Sequence, residues 1–489
     1  MNSIERKFTK LINISLRILF LLILLGIIAM SFLSFINLSF ENITYSLIVS
    51  LILVIFCGLM VYLFYKLVKK DYSDRTVLLI ILSLGFLLRL AYILLIDVKP
   101  FSDFQIIYNS GEKFAAGDYS VFKGTNYIAR FTHLTILTLY FGVISKISSN
   151  ALFIIKLINV ILSTINIYVL YLISSELYED KKKSLIISFI ACVFPAFIVY
   201  NAVLCSENLA MPFLLGSIYM FILVIKNKKS SPWILVSGVL LSISNLFRMV
   251  GTIIIIAYIL YLVIYYLNKK SIKIGALLIA SFLVPLIIIN SILLRFNITE
   301  YPLWQGREPS ITSVLKGTNI ESIGMWNEED SQISQQYNFN YKDIESASKY
   351  IIKERLTTTP LYKLIGFYIV KFTAQWSSGD FLGVYWSTGV VSILNSTFTL
   401  STALFFYSQV LYIILMLSIY KQLFHIKHAL DNKLINLLYI IFCGFGLFYL
   451  IIEQQPRYAY IVSWIFILLF HQLPFKQTKL TFLNNHLKL

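Results

Sequence analysis

Charge is what this sequence has least of. Only 13% of its 489 residues are Asp, Glu, Lys or Arg, about half the share of an ordinary soluble domain. Acids are scarcer than bases, 24 against 41, which leaves a net charge of +17. The bases bunch into short clusters between apolar runs, with no basic and aromatic surface motif beside them, and this excludes nucleic acid as a partner. Cysteine is sparse too. Cys57, Cys192, Cys205 and Cys443 lie in or beside apolar runs, without paired spacing or a neighbouring His, which excludes a disulfide framework and a zinc site. Ionisable groups inside the apolar runs are few, Arg89 and Lys156 being the clear cases. With no chain of Asp, Glu or His through the midplane, a proton-coupled carrier is disfavoured. The lack of an internal repeat weakens an inverted-repeat transporter.

Apolar residues are abundant, at 58% of the chain. A helix needs about 20 of them, at a 1.5 Å rise, to cross a hydrocarbon core of roughly 30 Å. That ruler predicts an all-α polytopic membrane protein with about twelve spans, near 16–38, 45–66, 76–96, 151–173, 185–204, 208–226, 232–248, 250–267, 274–294, 402–420, 434–452 and 458–474. The run from Ile18 to Phe40 follows Arg6, Lys7, Lys10 and Arg17 and is too long for a signal segment, so it reads as a retained first span. Loop charge sets the orientation. If His133 to Ser149 lies along the outer surface, the clusters at 181–183, 226–229, 269–273 and 421–433 share a side with the basic N-terminus and with Lys476 and Lys479. If it crosses, the first three land outside, against the positive-inside rule. Both termini are therefore expected in the cytoplasm. The segments left outside are 97–150, the turn at Glu207 and a long polar stretch from about 295 to 400.

Chemistry is then expected at the outer helix ends. Asp103 follows the third span at the start of a surface helix, and reads either as a cap with Ser102 or as a general base held partly desolvated at the membrane boundary. Glu207 sits in a turn so short that its carboxylate must lie near the bilayer surface; it reads as an acid of the site or as a helix-dipole partner. Arg248 and Arg457 interrupt apolar runs on the outer side, where basic residues are disfavoured, and each reads as an ion pair or as a clamp on a lipid phosphate. Arg130, His133 and Lys371 face the same boundary. Trp376, Tyr458 and Trp326 are aromatic-belt residues or a stacking face for a sugar ring.

Taken in order, Ser-Asp103-Phe, Tyr-Ile-Ala-Arg130-Phe-Thr-His133, Ser-Glu207-Asn, the Arg248 turn, Gly317-Thr-Asn319 to Gly324-Met-Trp-Asn327, and Gln-Pro-Arg457-Tyr458 resemble bacterial glycosyltransferases of the GT-C superfamily. The likeness is to the family-39-like and protein-mannosyltransferase-like enzymes and covers about residues 76–474. It implies a GT-C bundle divided into two extra helices (1–75), a transmembrane module (76–294) with a first outer loop at 97–150, an outer polar and juxtamembrane segment (295–400), and C-terminal helices with a cytoplasmic tail (401–489). It also implies a polyprenyl-phosphate sugar donor, an envelope glycan, glycolipid or protein acceptor, and an outer active site in a cell membrane. On this resemblance Asp103 is the catalytic base, with Glu207 the second acid. Arg457, Arg248 and Lys371 hold the donor phosphate, and Arg130, His133, Trp376 and Tyr458 contact substrate. Many members pair two carboxylates in the first loop, whereas Phe104 and Gln105 follow Asp103 here. A divalent cation is compatible with the sequence and not required by it. Two other readings stand beside this one: a polysaccharide polymerase or ligase using lipid diphosphates, and a lipid flippase without chemistry.

Overall fold

The computed structural model describes residues 3–36, 40–70, 72–96, 98–389 and 395–470, and the tail bearing Lys476 and Lys479 lies outside them. Among the described residues every regular element is helical. The main helices are α1 (Ser3–Ile36), α2 (Phe40–Lys69), α3 (Asp74–Leu95), α4 (Ser102–Ala115), α5 (Thr135–Ile147), α6 (Ala151–Tyr178), α7 (Lys181–Val193) and α8 (Ser206–Ile225). They continue with α9 (Ile234–Phe247), α10 (Gly251–Tyr266), α11 (Lys269–Arg295), α12 (Tyr341–Thr358), α13 (Leu361–Trp376), α14 (Asn395–Leu423) and α15 (Lys433–Ile451). Outward faces are apolar, with Leu51, Leu87, Ile256 and Leu283 exposed, the inverse of a helix that faces water. This is an all-α polytopic membrane protein.

Eight of these helices are long and apolar enough to cross a bilayer, or up to ten if two bent pairs each count as one span. The expected number of about twelve is not confirmed. The run at 185–204 breaks at Pro195, where Lys181–Val193 and Pro195–Ala202 meet at 57°, because proline has no N–H for the preceding turn. The runs at 232–248 and 250–267 form the shorter apolar helices Ser231–Phe247 and Gly251–Tyr266. The last run, at 458–474, lies within the described residues only as far as 470, and that part forms a 3-10 turn, Pro456–Val462, and a short helix, Trp464–Leu469. The ambiguous stretch after His133 contains only the thirteen-residue α5, about 20 Å long and too short to cross alone. It lies against α4 where Gly111 and Gly142 let the two backbones touch, since a Cβ at Gly111 would stand 2.9 Å from that of Phe141.

The basic clusters meet at one end of the bundle. Lys226 pairs with Glu176 and Glu179 at 3.2 and 2.6 Å, Lys270 donates to Asn227 at 2.6 Å, and Lys433 pairs with Glu5 at 3.0 Å. Arg17 donates to the carbonyl of Leu423 at 3.1 Å. Helices α3, α9 and α15 run away from this end and α8 returns to it, so Asp103, Glu207, Arg248 and Arg457 all fall at the opposite end.

Arg89, fully buried in α3, has a structural task. Its guanidinium donates to Ser163 at 2.8 Å, to the carbonyl of Cys192 at 3.1 Å and to that of Ala191 at 3.0 Å. The Ala191 carbonyl is the one Pro195 leaves without its helical donor. Replacing Arg89 with Met should expose these unmet carbonyls, at about 1–3 kcal/mol each, and lower the midpoint of thermal unfolding in detergent. Arg89→Lys should recover part of the loss.

Candidate active site

The site forms where four helix ends converge. Between α3 and α4 the chain is extended at Phe101 and turns left-handed at Ser102, with φ of 53°. Phe101 occupies the cap position without a side-chain hydrogen bond, so neither Ser102 nor Asp103 caps α4. Asp103 instead stands in the first turn, where the helix dipole favours a carboxylate, and lines the same cavity as Tyr127.

Glu207 is the second residue of α8, almost fully buried. It receives Ser206 Oγ at 3.3 Å and faces Arg248 Nη2 at 3.5 Å, while its Oε1 accepts no hydrogen bond among the described residues. Arg248 ends α9 in extended backbone and lies 4.7 Å above the ring of Tyr458. Arg457, in the turn that follows α15, is enclosed by rings: Phe104 at 4.7 Å, Trp386 at 5.2 Å and Tyr458 at 5.5 Å from its guanidinium carbon. Cation–π attraction fixes such a group without consuming its donors. Among the described residues its buried Nε and Nη1 have no hydrogen-bond partner. Burial pushes this guanidinium down, but the nearby carboxylates, Glu207 above all and then Asp103, hold it above the usual arginine value.

These groups open on one cavity of about 1290 Å³, lined also by Arg130, His133, Lys316, Glu308 and Glu453. Arg130 is held by Glu308, with Nη2 and Nε at 2.6 and 3.1 Å from the same carboxylate oxygen. Lys316 pairs with Glu453 at 3.8 Å, and Gln455 donates to Glu453 at 2.8 Å. Burial pushes Glu453 above the usual carboxylate range, with Lys316 opposing. Seven expected site residues thus share the cavity: Asp103, Glu207, Arg248, Arg457, Arg130, His133 and Tyr458. Among the described residues no three His, Cys, Asp or Glu side chains are grouped as they would be to hold a metal ion.

Two do not share it. Lys371 is buried beneath the cavity and gives its ammonium to three carbonyls, Gly317 at 2.6 Å and Leu450 and Ile452 at 2.8 Å. It closes the C-terminal end of α15, where carbonyls lack helical donors, and has no proton left for a phosphate. Trp376 is fully buried among Phe442, Tyr449 and Phe466, away from any sugar. The sequence pointed to Glu453 as an ion-pair partner for the arginines, but gave no sign of the ring cage of Phe104 and Trp386 or of Glu308 as a partner. Glu453 lies near Arg457 in sequence but pairs with Lys316 instead. Glu308 is one of ten Asp and Glu residues between 295 and 400, and nothing in its local sequence singles it out.

Outside the cavity, Asp330 knits the Gly317–Asn327 stretch to α12. Arg355 reaches it with Nη2 and Nη1 at 2.8 and 3.1 Å, and Asn319 and Asn327 donate at 3.1 and 3.0 Å.

Residues 136–289 match the family model described as dolichyl-phosphate-mannose-protein mannosyltransferase. The match includes Glu207 and Arg248 and leaves Asp103 and Arg457 outside, so it is narrower than the likeness read from the motifs. No curated protein and no solved structure matches the chain. The match supports a membrane glycosyltransferase of the GT-C type.

Burial pushes the Asp330 carboxyl up, but Arg355 and Asn327 outweigh it and hold the group below its ordinary value. A carboxyl lowered on folding stabilises fully above its unfolded pKa, about 3.9, and loses that contribution as the pH falls toward the folded value. Amide protection across α12 should therefore drop below about pH 4, and Asp330→Asn should show reduced protection already at neutral pH. Lys371→Met should lower thermal stability, since three carbonyls lose their donor.

Proposed function

We propose that this glycosyltransferase moves a sugar from a polyprenyl-phosphate donor to a hydroxyl of an envelope glycan, glycolipid or protein at the outer face of a cell membrane. The observation that carries the reading is the charge arrangement of the cavity. Arg130, Arg248 and Lys316 each face a carboxylate, Glu308, Glu207 and Glu453 respectively. Arg457 alone among the lining Arg and Lys residues has no ion-pair or hydrogen-bond partner among the described residues. One unspent guanidinium suits one phosphodiester charge. A diphosphate would bring a second charge with no free cation to meet it, which favours the polyprenyl-phosphate donor over a lipid diphosphate.

Transfer is then a single displacement. Asp103 takes the proton of the acceptor hydroxyl as its oxygen attacks the anomeric carbon, and the bond from that carbon to the phosphate oxygen breaks, with inversion. Polyprenyl phosphate leaves with a second negative charge. Arg457 meets the growing charge, and a donor already in place stabilises a transition state without reorganising. The cavity's position at helix ends also suits a lipid-linked sugar, whose anomeric carbon stands only a few ångströms above the bilayer.

Full-length protein in nanodiscs, given a radiolabelled polyprenyl-phosphate sugar and a crude envelope acceptor, should transfer label and release polyprenyl phosphate. Asp103→Asn should reduce transfer by about 10²-fold or more with folding intact, and Arg457→Gln should raise the KM for donor and lower kcat. Full activity of Asp103→Asn would remove the mechanism. In cells, D103C and E328C should label from outside, and K228C only after permeabilisation.

A further inference from the structure

We infer that the outward wall of the cavity binds a neutral carbohydrate, so that the acceptor hydroxyl belongs to a glycan; the acceptor role rests on the transfer reading above. Trp304 and Trp326 both line the cavity, yet they leave 54% and 56% of their surfaces exposed. Indole rings are among the largest apolar surfaces a chain can bury, and here two stand open in a pocket. Beside them stand Gln305, Ser331, Gln332 and Gln335, neutral groups that both donate and accept hydrogen bonds. A flat apolar face edged by such groups complements a pyranose, which presents a C–H face rimmed by hydroxyls.

Charge narrows the ligand further. With the three ion pairs set aside and Arg457 assigned to the donor, Asp103 and Glu328 are the unpaired charges of the lining among the described residues. No cation remains for a polyanionic acceptor. The described residues also contain no strand, so an extended peptide finds no sheet edge to pair with.

Calorimetric titration of the full-length protein in nanodiscs tests this without the donor. The probes are neutral hexose and N-acetylhexosamine tetramers, a glycerol-phosphate oligomer and a Ser/Thr-rich peptide. A neutral tetramer should bind, W304A and W326A should each weaken it by about tenfold, and W326F should keep most of the affinity. Failure of every neutral tetramer, tighter binding of the peptide or the polyanion, or unchanged binding in both Ala variants overturns the inference. Saccharide binding by a protein that consumes no donor would sink the transfer reading and leave the carbohydrate face standing.

Discussion

A charge level with the end of a membrane bundle has little water to shield it, and its neighbours decide whether it can be kept there. At an effective dielectric of about 20, opposite charges 4 Å apart attract by about 4 kcal/mol, before desolvation is counted. Most charges lining the cavity are settled in this way, through Arg130 with Glu308, Arg248 with Glu207 and Lys316 with Glu453. Among the lining cations of the described residues Arg457 is the exception, steadied by rings instead of a carboxylate. Rings hold a cation without using its N–H groups, so the one arginine kept in this manner is the one with donors to spare.

The same constraint explains how much could be read from sequence. Asp103, Glu207, Arg248 and Arg457 stood out because charge is rare at the ends of apolar runs away from the basic clusters, and such charges gather where helices end. Their convergence followed from alternating helix direction, fixed by loop charge. What stayed hidden depended on contacts between distant segments. Lys371 had the look of an interfacial cation, since nothing in its surroundings along the chain shows that three carbonyls from two other segments await it. Trp376 reads as well for a belt or a stacking face as for a core residue until Phe442, Tyr449 and Phe466 are seen around it. The ring cage joins Phe104, Trp386 and Tyr458, which share no pattern.

The number of spans is left unconfirmed for a different reason. Hydropathy counts apolar residues and not the continuity of the helix that carries them. Pro195 interrupts one run and Pro456 opens another as a tight turn, so both segments are apolar without being long. Arg89 shows how such a break is kept inside a bilayer, its guanidinium standing in for the amide that proline lacks.

The grip of Lys371 also limits how the molecule can move. Its ammonium ties Gly317 of the outer segment to Leu450 and Ile452, and Gln454 donates to Gly324 at 2.7 Å, a few residues before Arg457. The stretch around Gly317 and Gly324 and the turn that carries Arg457 are thus riveted together on that flank. Lifting one drags the other, so the two move as a single piece.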